Sequence, residues 1–178
     1  MIGLALGLLL AGALPVAEAE RLAQAALSSA AARPAEALAG ARKALGLTAE
    51  FEPTAFVAAG RKGEVVEDEF RAARVAYRRH RALLYEAAGA ALLASGRPIE
   101  AGRYLGRACL LDPSPERLER QAAALVEAHR PAQALPLLLR PPDATLGPSA
   151  LSVAERAVDA LGLPGLQLEL DRVRLSAL

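Results

Sequence analysis

Three times in this chain an Arg-Pro pair is followed by the same kind of continuation. The copies read Arg33-Pro34-Ala35-Glu36-Ala37, Arg97-Pro98-Ile99-Glu100-Ala101 and Arg130-Pro131-Ala132-Gln133-Ala134. Proline fixes φ and lacks an N–H, so it suits the first turn of a helix and little else within one. Each pair therefore reads as a helix start. The last two starts are 33 residues apart and the first two 64 apart, about one and two lengths of a helix-turn-helix unit. Such units cannot bury their apolar faces alone and gain stability by stacking on copies of themselves.

The composition agrees with that reading. Of 178 residues, 53% are hydrophobic and 23% charged, too apolar for wholesale disorder. Alanine and leucine dominate, asparagine is absent, and Lys43 and Lys62 are the only lysines, a bias that suggests a GC-rich bacterial genome. Strong helix formers thus fill the chain, and β-branched residues never alternate with polar ones over a strand length. The expected class is all-α. Gly46 and Gly162 each follow an Ala-Leu pair and are expected to stop helices. Pro53, Pro98, Pro115, Pro148 and Pro164 are expected to start them, with Ser114 as an N-cap and Ser152 to Glu155 as a capping box. The segment 51–81 reads as helix, a turn at 60–63, then helix; whether 64–94 forms one helix or two stays open.

Ile2 to Leu14 is an uninterrupted apolar run, followed by Pro15 and the small-x-small pattern Ala17-Glu18-Ala19. Its length and layout suit an export signal cleaved after Ala19, although no Lys or Arg precedes it. The run falls short of the ~20 apolar residues that span a bilayer, so no stable span is expected in the mature chain. Cys109 is the single cysteine, which excludes an intrachain disulfide; its apolar neighbours favour burial over reactivity.

The stretch from Ala82 to Pro113 resembles the tetratricopeptide repeat family. Tyr85, Gly89 and Leu92, a turn at Gly96, then Ala101, Leu105, Ala108 and Pro113 stand at the family's spacing, with Ala88 replacing the usual leucine. A copy from Pro115 keeps Leu118, Ala122, Leu125, Ala134 and Leu138, and one before Thr48 keeps Ala25, Ala37 and Ala44. The resemblance implies a short right-handed α-solenoid of antiparallel helical hairpins over residues 20–147, closed by a helical pair in 148–178. Small residues at Gly89, Ala101 and Ala108 would let paired helices approach closely, while Tyr85, Leu92 and Leu105 fill the space between units. It also implies that partners dock along the inner faces of first helices, here Leu83, Glu86, Ala90 and Leu93, then Glu116, Glu119, Ala123 and Glu127.

No catalytic set emerges from the residues. His80 and His129 lie among arginines and read as surface residues at helix ends; the serines lack a His/Asp relay, and no phosphate loop or metal cluster is apparent. Glu67, Asp68 and Glu69 suit a helix N-terminus. With Lys plus Arg at 21 against 20 acidic residues, the net charge of +1 argues against a nucleic-acid coat. Arg71, Arg74, Arg78 and Arg81 share one helical stripe, opposite an expected buried stripe of Val66, Phe70, Ala73 and Tyr77. The arginines read as a solvated face, with Glu67 pairing Arg71, or as a ridge for anions or lipid headgroups. The leading expectation is a non-enzymatic scaffold without cofactor, exported to the periplasm or cell envelope, that docks an unidentified protein or peptide segment. An anion-binding module and an accessory domain of an envelope enzyme are the alternatives.

Overall fold

The computed structural model describes residues 2–50, 67–139, 147–163, 165, 166 and 170, with side chains from Pro15 onward except those of Glu67 and Glu69. The described residues form helices and no strand. In order these are α1 (Ile2–Ser29), α2 (Pro34–Leu47), α3 (Glu67–Ala94), α4 (Pro98–Leu111), α5 (Pro115–Glu127), α6 (Pro131–Leu138) and α7 (Pro148–Leu161). Helices α1, α3 and α5 each pack on the even helix that follows. The odd helices also touch in series, α1 on α3, α3 on α5 and α5 on α7, while α2, α4 and α6 each lean on the next odd helix.

Local chemistry sets the boundaries. Proline opens α2, α4, α5, α6 and α7 in the first turn, where its missing N–H costs nothing. Ser114 caps α5, its hydroxyl accepting from the Arg117 N–H at 3.3 Å. Two turns repeat in detail. After α3, Gly96 has φ 69°, its N–H donates to Leu93 O, and the Arg97 N–H reaches Leu92 O. After α5, His129 has φ 58°, its N–H donates to Val126 O, and the Arg130 N–H reaches Leu125 O. Both are Schellman motifs, one with glycine and one with histidine in the left-handed position. Gly162, φ 64°, ends α7 as its position suggests.

Other boundaries differ from the expectations. Gly46 lies inside α2, which continues to Leu47 and ends at Thr48 without a left-handed residue. Ser152 lies inside α7, because Pro148 starts that helix one turn earlier behind Gly147. From Glu67 to Ala94 there is one unbroken helix. The expected turn at 60–63, Pro53, Val66, Pro164 and the Glu67–Arg71 pair lie outside the described residues or side chains. Of the expected last helix, Gly165, Leu166 and Leu170 are helical, and Leu170 is buried against α7.

Small side chains carry the core. At matching distances behind the helix-opening prolines, α2 buries Ala37, Ala41 and Ala44, α4 buries Ala101, Leu105 and Ala108, and α6 buries Ala134 and Leu138. The crossing of α3 with α4 is closest at Gly89, where an added Cβ would lie 2.6 Å from Leu105 Cγ and 3.2 Å from the Leu105 backbone nitrogen. Leu92 and Leu105 join Ala101 and Ala124 in one buried cluster, while Tyr85 stays half-buried, edge-on to Tyr104. Two expected core positions are exposed instead. Phe70 is 40% exposed because no described element covers the first turns of α3 there, and Ala25 lies outside because α1 turns Ala23, Ala26 and Ala30 inward. Helix α1 runs through Ala19, which is fully buried.

Candidate functional groove

The odd helices leave an open groove of about 690 Å³ between them. Its apolar wall comes from Leu27, Ala30 and Ala31 of α1 and its following turn, Ala90, Leu93 and Ala94 of α3, and Ala123 of α5. Alanine at these positions keeps the helices close and leaves room in front of them. Ala90, Leu93, Ala123 and Glu127, all expected on an inner face, meet in this groove. Its charges are already matched: Arg156 of α7 holds Glu127 of α5 at 2.7 Å, and Arg120 is engaged by Glu86.

The remaining expected positions are used otherwise. Glu86 is 5% exposed and cannot face a partner; its carboxylate accepts from Arg117 Nε at 2.8 Å and from Arg120. Arg117 in turn donates to the Asp112 carboxylate at 2.6 Å and its carbonyl at 2.7 Å. This charge-assisted network locks α3 to α5 through the α4–α5 turn. Leu83 is half-buried against the alanines of α1 to α3. Glu119 accepts from the Ser149 hydroxyl, joining α5 to α7. Glu116 stands exposed in the first turn of α5, where its own backbone N–H and the Ser114 hydroxyl hold its carboxyl below the ordinary carboxylate range.

The expected arginine ridge divides. Arg81 turns inward, donating to Tyr85 Oη at 3.1 Å and lying over that ring, with the Thr48 carbonyl at 3.4 Å. Arg78 donates to the Leu111 and Leu110 carbonyls at 2.8 and 3.2 Å, satisfying the end of α4. Arg71 pairs with Asp68 at 3.7 Å, and Arg74 is exposed.

Sequence reasoning missed one arrangement. His80 is 2% exposed, not a surface residue at a helix end, because the unbroken α3 places it mid-helix on the stripe of Ala73, Leu84 and Ala87. Its Nδ1 lies 3.0 Å from Glu20 Oε1 and its Nε2 3.1 Å from Thr48 Oγ1. The order hydroxyl, imidazole, carboxylate resembles a nucleophile relay, but Thr48 is fully buried and no substrate can approach it. The chain of bonds instead ties α1 and the end of α2 to α3. Its partners are 32 and 60 residues away in sequence, so no local spacing announces them. His129 is exposed, and Cys109 is half-buried; burial pushes its thiol pKa up, and Arg117 only partly opposes this.

No protein-family model, curated protein or solved structure matches this chain.

Proposed function

We propose that the chain is a non-enzymatic interaction scaffold, a short right-handed solenoid of tetratricopeptide-like hairpins that docks an extended partner segment in the groove of its odd helices. The observation that carries this reading is the meeting of Ala90, Leu93, Ala123 and Glu127 with Leu27, Ala30 and Ala31 along one open groove. The repeated turns at Gly96 and His129 and the equivalent burial in α2, α4 and α6 support the hairpin repeat. With Glu127 and Arg120 already paired, the groove offers apolar area and exposed helix surface more than free charge. It suits a segment with small apolar side chains, held by many modest contacts.

The groove is tested by Ala31→Glu combined with Ala94→Glu, two exposed positions on its wall. Partner capture from envelope extracts is expected to fall while circular dichroism stays unchanged. The exposed control Ala160→Glu on α7 keeps capture intact. Equal capture by all three proteins overturns the groove as docking site.

Export belongs to the same proposal. Cleavage after Ala19 removes the buried Ala19 and the Glu18–Lys43 pair but leaves Glu20 with its bond to His80, and Ala23 and Ala26 in the core. The mass of protein recovered from the periplasmic fraction is expected to correspond to a chain starting at Glu20. An intact Met1 in that fraction contradicts cleavage.

A further inference from the structure

Charge is segregated on a second surface, separate from the groove's apolar wall. Three hollows, of about 210, 890 and 240 Å³, adjoin one another through shared residues. Arg78 belongs to the first two and Arg103 to the last two. Together they are lined by Arg71, Arg74, Arg78, Arg103, Arg107 and Arg130, and no carboxylate lines any of them. In a chain whose formal charge is only +1, this concentrates cationic groups on one face. Arg74, Arg103 and Arg130 are exposed, and among the described residues none of the three is held in an ion pair.

The same face carries four exposed large apolar side chains. Phe70 at 40%, Val75 at 45%, Ile99 at 54% and Leu110 at 80% exposure line these hollows. Exposed large apolar groups interspersed with arginines are costly against water alone. They suit an interface whose outer layer is anionic and whose next layer is hydrocarbon.

We propose that this face, formed by the first half of α3, the outer side of α4 and parts of α5 and α6, docks peripherally on an anionic membrane surface. Arg74, Arg103 and Arg130 contact lipid phosphates while Leu110 and its apolar neighbours enter the headgroup layer. Two observations favour a bilayer over an acidic peptide. The cations spread over α3, α4 and the turn before α6 instead of converging on one cleft, and Leu110, at the border of the 890 Å³ hollow, keeps 80% of its surface exposed. The arginine stripe foreseen in the sequence contributes only in part, since Arg81 turns inward and α4 and the turn before α6 supply the rest.

The test is flotation of the full chain with vesicles of phosphatidylcholine alone and of phosphatidylcholine mixed with phosphatidylglycerol. The uncharged run Ile2–Leu14 contributes alike to both, so the difference between the two vesicle types is read. The chain is expected to prefer the anionic vesicles, less so at high salt. Arg74→Glu with Arg103→Glu should lower that preference about tenfold or more. Leu110→Ser, which adds no charge, should weaken binding to anionic vesicles severalfold. All three positions are exposed, and circular dichroism checks that the variants fold. No preference for anionic vesicles, or an unchanged double variant, overturns the proposal. Displacement from the vesicles by soluble polyglutamate, with Leu110→Ser without effect, assigns the face to an acidic protein and overturns the membrane.

Discussion

At the scale of single residues, the left-handed turn positions show how similar hairpins can differ in cost. Gly96 and His129 close equivalent turns with the same pair of backbone bonds, yet only glycine adopts φ near +60° without a Cβ penalty. His129 is exposed, so no packing compensates it. His129→Gly is expected to raise unfolding free energy by about 1 kcal/mol in urea denaturation. Glu86 illustrates the opposite relation between position and role. Its place in the repeat made it a partner-facing candidate, yet Arg117 and Arg120 draw it into the joint between α3 and α5. Nothing in the spacing of Glu86 reveals this, because Arg117 lies 31 residues away on another helix. The burial of His80 is hidden for a related reason: its partners Glu20 and Thr48 are remote in sequence and approach it only in space.

Between elements, the decisive contact is the close crossing of α3 and α4. Gly89 of α3 has no room for a methyl group against Leu105, whereas Gly102, inside α4, has nothing within 4 Å of its added Cβ. Helix propensity alone favours alanine over glycine at both sites by about 1 kcal/mol. Gly102→Ala is therefore expected to raise the midpoint of chemical denaturation. Gly89→Ala should lower it, because overpacking of about 1–3 kcal/mol exceeds the propensity gain. A stabilised Gly89→Ala variant would contradict this close crossing. The starts of α2 and of α4 to α7 were legible from proline, and the buried positions of α2, α4 and α6 from alanine spacing. The continuity of α3 was less so. No proline interrupts residues 67–94 and the single glycine, Gly89, is accommodated within the helix, so the break that the repeat left open is not required by the segment's physical chemistry.

Across the whole molecule, all-helical architecture follows from composition and from the spacing of helix starts. The groove was half legible: of the eight inner-face positions expected on α3 and α5, Ala90, Leu93, Ala123 and Glu127 line it. The contribution of α1 and its following turn was not, because the first copy keeps few of the repeat's diagnostic residues, and Leu27, Ala30 and Ala31 enter through the packing of α1 on α3. The account joins two surfaces with different chemistry, an alanine-lined groove with matched charges and an arginine-rich face with protruding apolar groups. Only the first is required for scaffold docking. The most direct measurement is photo-crosslinking in living cells from a benzophenone side chain placed at Ala94, on the groove wall, and at Ala160, outside it. The account predicts a discrete adduct from position 94 that is absent from position 160 and disappears in the Ala31→Glu background. Identical adduct patterns from both positions, or an adduct from 160 alone, would contradict it.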